Sequence, residues 1–262
     1  MKNKQYMNKI IEMNCFDFLE KIEDESVDLA IIDPPYNLEK AKWDTFESQD
    51  EFLKFTFSWI DSLIPKLKSN SSLYIFNTSY NAALILSYLD KRQILDFKNW
   101  ITWHKKDGFG PTKRRYVKRQ ETILFYTQGD DYTFNADDIR VPYESKSRMK
   151  HAQKKGILKN GKRWYPNPNG KLCGDVWNFS SARHKNKVNG KTKKLPHLTP
   201  KPLDMIERMV KASSNPGDLV LDCFVGIGTT AIAAKKNNRN FLCCDKEKKY
   251  IKVAKKRIKE MS

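Results

Sequence analysis

Short apolar runs alternate along this chain with segments whose apolar residues recur at every third or fourth position. Residues 27–32 (VDLAII) form one such run, rich in β-branched side chains and cut off by Asp33-Pro34-Pro35. An unbroken apolar run stopped by prolines predicts a strand buried on both faces, as in a parallel sheet. Ahead of it Phe16, Leu19 and Ile22 share a helical face; behind it Phe52, Phe55, Trp59, Ile60 and Leu63 do so up to Pro65. Residues 72–76 predict the next strand, 81–89 a helix, and 101–103 and 122–126 two further strands.

From about residue 135 to 197 the periodicity fails. Pro, Gly, Asn and basic residues dominate, with Tyr143, Trp164, Tyr165, Trp177 and Phe179 among them. Order returns after Pro200-Lys201-Pro202. Leu203, Ile206, Met209 and Val210 line one helical face, 219–222 reads as a strand, and a helix runs on to about Lys236. Residues 240–244 form a strand ending at Asp245. Tyr250, Val253, Ala254, Arg257 and Ile258 mark an amphipathic final helix with a Lys-rich outer face. Alternating strands and helices predict an α/β fold on a mostly parallel sheet. The expected organisation is 1–134, an irregular insert at 135–197, and 198–262, the outer two together forming one domain.

Charge sharpens the picture of the insert. The chain of 262 residues has a net charge of +18, and residues 145–195 carry 15 Lys or Arg against one acid, Asp175, so +14 of the excess lies there. A surface that merely keeps a protein dissolved mixes its signs; a cationic block suits a polyanion, whose counterions it releases. Aromatic residues at 12% argue against disorder. The five cysteines and four histidines show no metal-ligand spacing, so no metal is expected, and the scattered thiols suit a reducing, cytoplasmic setting. No apolar run is long enough to span a bilayer, and no membrane partner is expected.

Two segments carry candidate chemistry. Asp33-Pro34-Pro35-Tyr36-Asn37 sits at the carboxyl end of a predicted strand, where open α/β sheets bind their ligands. A carboxylate and a backbone carbonyl held by the rigid proline step can accept both hydrogens of an amino group. An aromatic amine is a poor nucleophile because its lone pair is delocalised; two such acceptors steer the nitrogen towards tetrahedral geometry. Tyr36 adds a flat ring for stacking a base turned out of its helix. The second segment, Phe224-Val225-Gly226-Ile227-Gly228-Thr229-Thr230, is a strand–loop–helix turn with two glycines, after the strand that ends at Asp222. It lacks the third glycine of a dinucleotide fingerprint and the GK[ST] of a phosphate loop. Asp245, closing the next strand, suits ribose hydroxyls.

The order of these segments, DPPYN first and FVGIGTT later, together with NCFDFL at 14–19, WITWHKKDGFG at 100–110, KNGKRWYPNPNG at 159–170 and KASSNPGDLVLDCF at 211–224, resembles the β-class of amino-methyltransferases. Within it the whole chain is similar to the MboII-type adenine-N6 DNA methyltransferases of restriction–modification systems. The resemblance implies a Rossmann-like fold that binds S-adenosylmethionine, with the insert as a target-recognition region. It implies that Asp33 and the Pro34-Pro35 step activate the base and that Tyr36 stacks on it. It places Phe224, Gly226, Gly228, Thr229 and Thr230 at the methionine end of the cofactor and Lys201 beside the cofactor carboxylate, with Asp33 and Asp222 also among the cofactor-binding residues. Asp245 would meet the ribose and Asn14-Cys15 the adenine ring, Asn14 standing where many relatives carry Asp.

Double-stranded DNA is the implied partner. Lys162, Arg163, Arg183 and Lys185 of the insert, and Lys113, Arg114 and Arg115 of a glycine-bearing loop, are the candidate contacts. The recognition site suggested is of the GAAGA kind. A homodimer, a cognate endonuclease and a companion methyltransferase are further partners the family allows. Cytosine-N4 methylation, which uses the same geometry, is the alternative activity, and a catalytically idle DNA-binding subunit on the same fold is a second alternative.

Overall fold

A computed structural model of the chain describes residues 2–39, 41–105, 113–182, 187–188, 191–192 and 200–261. In chain order its main elements are β1 (Lys9–Glu12), α1 (Cys15–Glu20), β2 (Val27–Ile32), α2 (Gln49–Leu63), β3 (Leu67–Asn77), α3 (Ser79–Arg92), β4 (Asp96–His104), β5 (Gln120–Thr127), α4 (Lys146–Lys155), β6 (Ile157–Lys159), β7 (Lys162–Trp164), β8 (Val176–Asn178), β9 (Lys187–Val188), β10 (Lys191–Thr192), α5 (Leu203–Ala212), β11 (Leu219–Asp222), α6 (Thr229–Lys236), β12 (Asn240–Asp245) and α7 (Lys248–Lys259). Eight strands build one sheet in the order β1-β12-β11-β2-β3-β5-β4-β8. Every neighbouring pair is parallel except those that β5 makes with β3 and β4. The mostly parallel α/β sheet expected from the alternation of strands and helices is therefore present.

Both faces of this sheet are covered, which is why its central strands read as unbroken apolar runs. Along β2 and β3, Ala30, Ile32, Leu73 and Ile75 point to one face, where they join Leu19, Trp59, Ile60 and Ile85 of α1–α3. Leu29, Ile31, Tyr74 and Phe76 point to the other, where Met205, Met209, Val210, Ala233 and Ala254 of α5–α7 meet them. Side chains alternate faces along a strand, so one run supplies both cores. Among the described residues no helix is long and apolar enough to cross a membrane.

Three expectations need correction, and one strand, β1, has no counterpart among them. β3 starts five residues before the predicted 72–76, because Ser69 and Asn70 are exposed and leave no apolar signal. β4 likewise extends ahead of 101–103 through residues exposed at alternate positions. The short edge strand β1 has only Ile10 fully buried, too little to register. The described residues between 135 and 182 are more ordered than their composition suggests. α4 buries Ala152 alone among its described side chains, β6 and β7 form a hairpin, and β8 joins the main sheet beside β4.

Candidate active site

β11 and β2 lie side by side in the middle of the sheet, and the chain leaves them in opposite directions, β2 towards β3 and β11 towards β12. Such a switch point opens a crevice beyond the strand carboxyl ends. Residues 33–37 follow β2 and residues 223–228 follow β11, so both chemical segments border the same crevice. Two cavities open there. The larger, about 320 Å³, is lined by Asn14, Cys15, Phe224 and Asp245 on one side and by Asp33, Pro34, Pro35 and Tyr36 on the other. The smaller, about 30 Å³, lies against Val225, Gly226, Thr229, Thr230 and Asp222. Asp33, Lys201 and Phe224 border both.

Asp33 is the hub. Its Oδ1 accepts from the Tyr36 hydroxyl at 2.9 Å and pairs with Lys201 Nζ at 2.7 Å, while Oδ2 accepts from the same ammonium at 2.8 Å. With 23% of the Asp33 side chain exposed, a molecule in the crevice can still reach it. Burial pushes its carboxyl above the usual range; Lys201 opposes this and the neighbouring Glu121 carboxylate adds to it. Burial works against the Lys201 charge too, but Asp33 and Glu121 outweigh it and hold its ammonium above the usual lysine range. The Lys201 ammonium also lies 5.2 Å from the ring centroids of both Tyr36 and Phe76. Lys201, expected beside a cofactor carboxylate, is thus paired with Asp33 here, at the junction of the two cavities.

Two acids that the sequence did not single out organise this turn. Asp44, 2% exposed, accepts the backbone N–H groups of Tyr36 at 2.6 Å and Asn37 at 3.0 Å on one oxygen, and of Leu38 at 3.2 Å on the other. Asn81 of α3 donates to the Tyr36 carbonyl at 2.9 Å. Glu121 of β5 accepts from the Tyr36 hydroxyl at 3.3 Å, lies 3.4 Å from Lys201 Nζ and pairs closely with Lys105. Burial disfavours its charge, but Lys201 and Lys105 hold its carboxyl below the usual glutamate range. Neither acid had a readable signal. Glu121 is one polar residue ahead of an apolar run, and Asp44 lies in a stretch without periodicity.

The glycine segment is tied down by the acids on either side of it. Asp222 accepts from the Phe224 N–H at 2.9 Å and the Thr230 hydroxyl at 2.6 Å, and burial pushes its carboxyl up to about 7. Asp222 therefore braces the loop, and it also lines the smaller cavity. Asp245 accepts from the Gly226 N–H at 2.8 Å. Gly228 has φ +85, and a Cβ there would stand 2.9 Å from the Ala254 Cβ of α7, so the turn needs glycine on both counts. Gly228 is also the N-cap of α6 and offers no side-chain cap, and the first helical residues, Thr229 and Thr230, line the smaller cavity. At the far end Asn14 caps α1 by accepting from the Asp17 N–H at 3.0 Å, while burial pushes the Cys15 thiol up to about 12. That thiol stays protonated and unreactive.

The basic candidates lie elsewhere. Lys113, Arg114 and Arg115 are exposed on the segment joining β4 to β5, whose base is closed by Lys105 N donating to Arg119 O at 2.7 Å. Because Lys105 pairs with Glu121, the base of this segment lies at the edge of the crevice. Lys162 and Arg163 are exposed on the β6–β7 hairpin. Arg183 and Lys185 lie outside the described residues. Among the described residues no cluster of His, Cys, Asp or Glu is placed to hold a metal ion.

Known proteins resemble this chain in sequence and in fold. Type II methyltransferase M1.MboII of Moraxella bovis is 62% identical over 248 residues, covering 95% of each chain. DNA adenine methyltransferase YhdJ of Escherichia coli (strain K12) is 33% identical over 254 residues, 95% of this chain and 82% of YhdJ. The crystal structure of an M1.HpyAVI–SAM complex superposes with a TM-score of 0.61 at 25% identity, covering 95% of this chain and 98% of that one. The DNA methylase family model matches residues 27–256, a span that begins with β2 and ends within α7 and so takes in both segments, 33–37 and 223–228, that border the crevice. A match of that extent, joined to the M1.MboII identity along nearly the full length, decides the matter: the chain belongs to the N6/N4 DNA methylase family.

Proposed function

We propose that this protein transfers a methyl group from S-adenosylmethionine to N6 of adenine in duplex DNA, acting on a base turned out of the helix. The observation that carries the reading is the position of Asp33, whose carboxylate borders both cavities at the point where the two chemical segments meet.

The residues present fit the cofactor. The larger cavity falls within the range of small-molecule sites, about 300–1,000 Å³, and combines the Phe224 ring with the Asp245 carboxylate. The uncapped start of α6 and the Lys201 ammonium suit a carboxylate. In this reading Asn14 and Cys15 meet the adenine of the cofactor, Asp245 its ribose, and Phe224, Gly226, Gly228, Thr229 and Thr230 its methionine end. Bound there, S-adenosylmethionine supplies an electrophilic methyl group. Asp33 accepts one hydrogen of the target amine and the carbonyl of the proline step accepts the other, turning the nitrogen lone pair towards that methyl. The Tyr36 ring supports the base. Formation of the N–C bond is matched by loss of the sulfonium S–C bond, with S-adenosylhomocysteine as the leaving group, and the amine gives a proton to the Asp33 carboxylate and from there to water, which leaves a neutral product.

The insert 135–197 is proposed as the target-recognition region. Lys162 and Arg163 present their charge on a narrow two-stranded ribbon, a shape the major groove admits; Arg183 and Lys185 share the same basic segment. Lys113, Arg114 and Arg115 would grip phosphates next to the extruded base. Replacing these three with glutamine should weaken DNA binding and reduce the slope of log affinity against log salt by roughly 2–3. Filter binding across a salt series checks this; an unchanged slope removes the loop from the interface.

The likeness to YhdJ, a DNA adenine methyltransferase, and the acid at the first position of the catalytic segment favour adenine. A short GAAGA-like site, a restriction–modification setting with a cognate endonuclease and companion methyltransferase, a homodimer and a cytoplasmic location complete the proposal. The direct test incubates the protein with DNA and labelled cofactor, digests the DNA and identifies the nucleoside by mass spectrometry. N6-methyl-2′-deoxyadenosine is expected; N4-methyl-2′-deoxycytidine as the product would overturn the choice of base, and an unlabelled product pool would overturn the activity.

A further inference from the structure

Asp33 has little acceptor capacity to spare for an incoming amine. The Tyr36 hydroxyl and two contacts from Lys201 occupy three of its sites, out of the roughly four a carboxylate offers. The ammonium at 2.7 Å also draws charge from the oxygen that would meet the substrate, which weakens it as an acceptor. The arrangement that keeps the carboxylate ordered is therefore also one that competes with its task.

Glu121 stands behind the pair with a second acceptor. Its Oε2 lies 3.3 Å from the Tyr36 hydroxyl and 3.4 Å from Lys201 Nζ, so a shift of roughly half an ångström would bring both donors within charge-assisted range. The other oxygen is held by Lys105, which anchors the carboxylate so that the donors must come to it. At 8% exposure Glu121 does not face solvent.

We propose that Glu121 is a positioning residue for methyl transfer, the acceptor onto which the Tyr36 hydroxyl and the Lys201 ammonium move as the target amino group docks on Asp33. The inference rests on the reading of Asp33 as the base-activating acid. Charge balance makes the exchange inexpensive. Asp33 and Glu121 are matched by Lys201 and Lys105, so the shift moves donors between two buried anions without exposing or creating a charge. The groups facing Glu121 are Lys105 at the end of β4, Lys201 ahead of α5, and Tyr36 and Asp33 beyond β2; Asp222 of β11 acts on Asp33 from the far side.

Single-turnover methylation rates of the full-length protein, taken across pH at saturating DNA and cofactor, test the proposal with two variants. Glu121→Gln should slow the reaction on the order of tenfold to a hundredfold, the range of a lost bond to a charged group. Its acid limb should move to lower pH, because the Glu121 charge is one of the influences that raise the Asp33 carboxyl. Glu121→Asp keeps the charge and shortens the reach, so its rate should fall while its acid limb stays at the wild-type position. A residue that served only to hold the fold together would not separate charge from reach in this way. An unchanged rate in either variant, or an acid limb in Glu121→Gln that stays put or moves up, overturns the proposal. If Glu121→Gln does not fold, the rate of Glu121→Asp decides alone. Wild-type activity in Asp33→Ala would instead sink the parent reading, whatever the Glu121 variants do.

Discussion

Asp33→Ala should lower methyl transfer on the order of a thousandfold, while binding of S-adenosylmethionine changes by no more than a few-fold. The loss follows from the acid's place at the junction of the two cavities. Removing one preorganised polar group aimed at a transition state costs about 10²–10³ in rate, and this one also receives the proton. The fold should survive, because Lys201 keeps Glu121 as an anionic partner at 3.4 Å. Asp33→Asn should fall between wild type and alanine: its carbonyl oxygen still accepts, but its amide nitrogen opposes the amine and it cannot take up the proton. Labelled-methyl incorporation set beside cofactor binding checks the series. An alanine variant with undiminished incorporation would remove Asp33 from the chemistry.

Asp44→Ala should damage the site from behind. It strips the acceptor from three backbone N–H groups at residues 36–38, the segment that carries the Tyr36 ring. A buried donor left unsatisfied costs about 1–3 kcal/mol. Because this loop can partly open to water, a net loss of about 3 kcal/mol is expected, or roughly 6–12 °C in Tm for a chain of this size. Activity should fall further than stability, on the order of a hundredfold, because a misplacement of about 1 Å is enough for that loss. Asp44→Asn keeps one acceptor oxygen and should lie between wild type and alanine. Thermal melts and methylation rates on the same preparations separate the two effects. Full activity in Asp44→Ala, whatever its Tm, would show that the turn does not depend on this acid.

Much of the architecture is legible in the chain because burial on both faces leaves a direct trace. β2, β11 and β12 are read closely from their apolar runs, and α2 and α5 from their periodic faces. Elements with little buried surface leave almost none. β1 buries one side chain fully, α4 is half Lys and Arg, and the exposed start of β4 reads as loop. The direction of β5 is invisible for a different reason: parallel and antiparallel strands bury the same side chains, and only the path between them tells one from the other.

The catalytic site divides along the same line. Its reactive ends are local in sequence: an acid before two prolines and a tyrosine, and two glycines before a helix, each tied to a backbone conformation that few residues can adopt. Glu121 and Asp44 are not local. One meets Tyr36 from 85 positions away, the other folds back over a turn with no periodicity, and neither belongs to a recognisable string. The sequence by itself determined the class of fold, the two chemical segments and their order, and the cationic insert, because composition and short-range geometry dictate all of these. Only the tertiary structure decided which carboxylates and ammoniums share one buried cluster. That pairing is set by the desolvation each charge would suffer alone, and it arises only when distant strands bring the charges together.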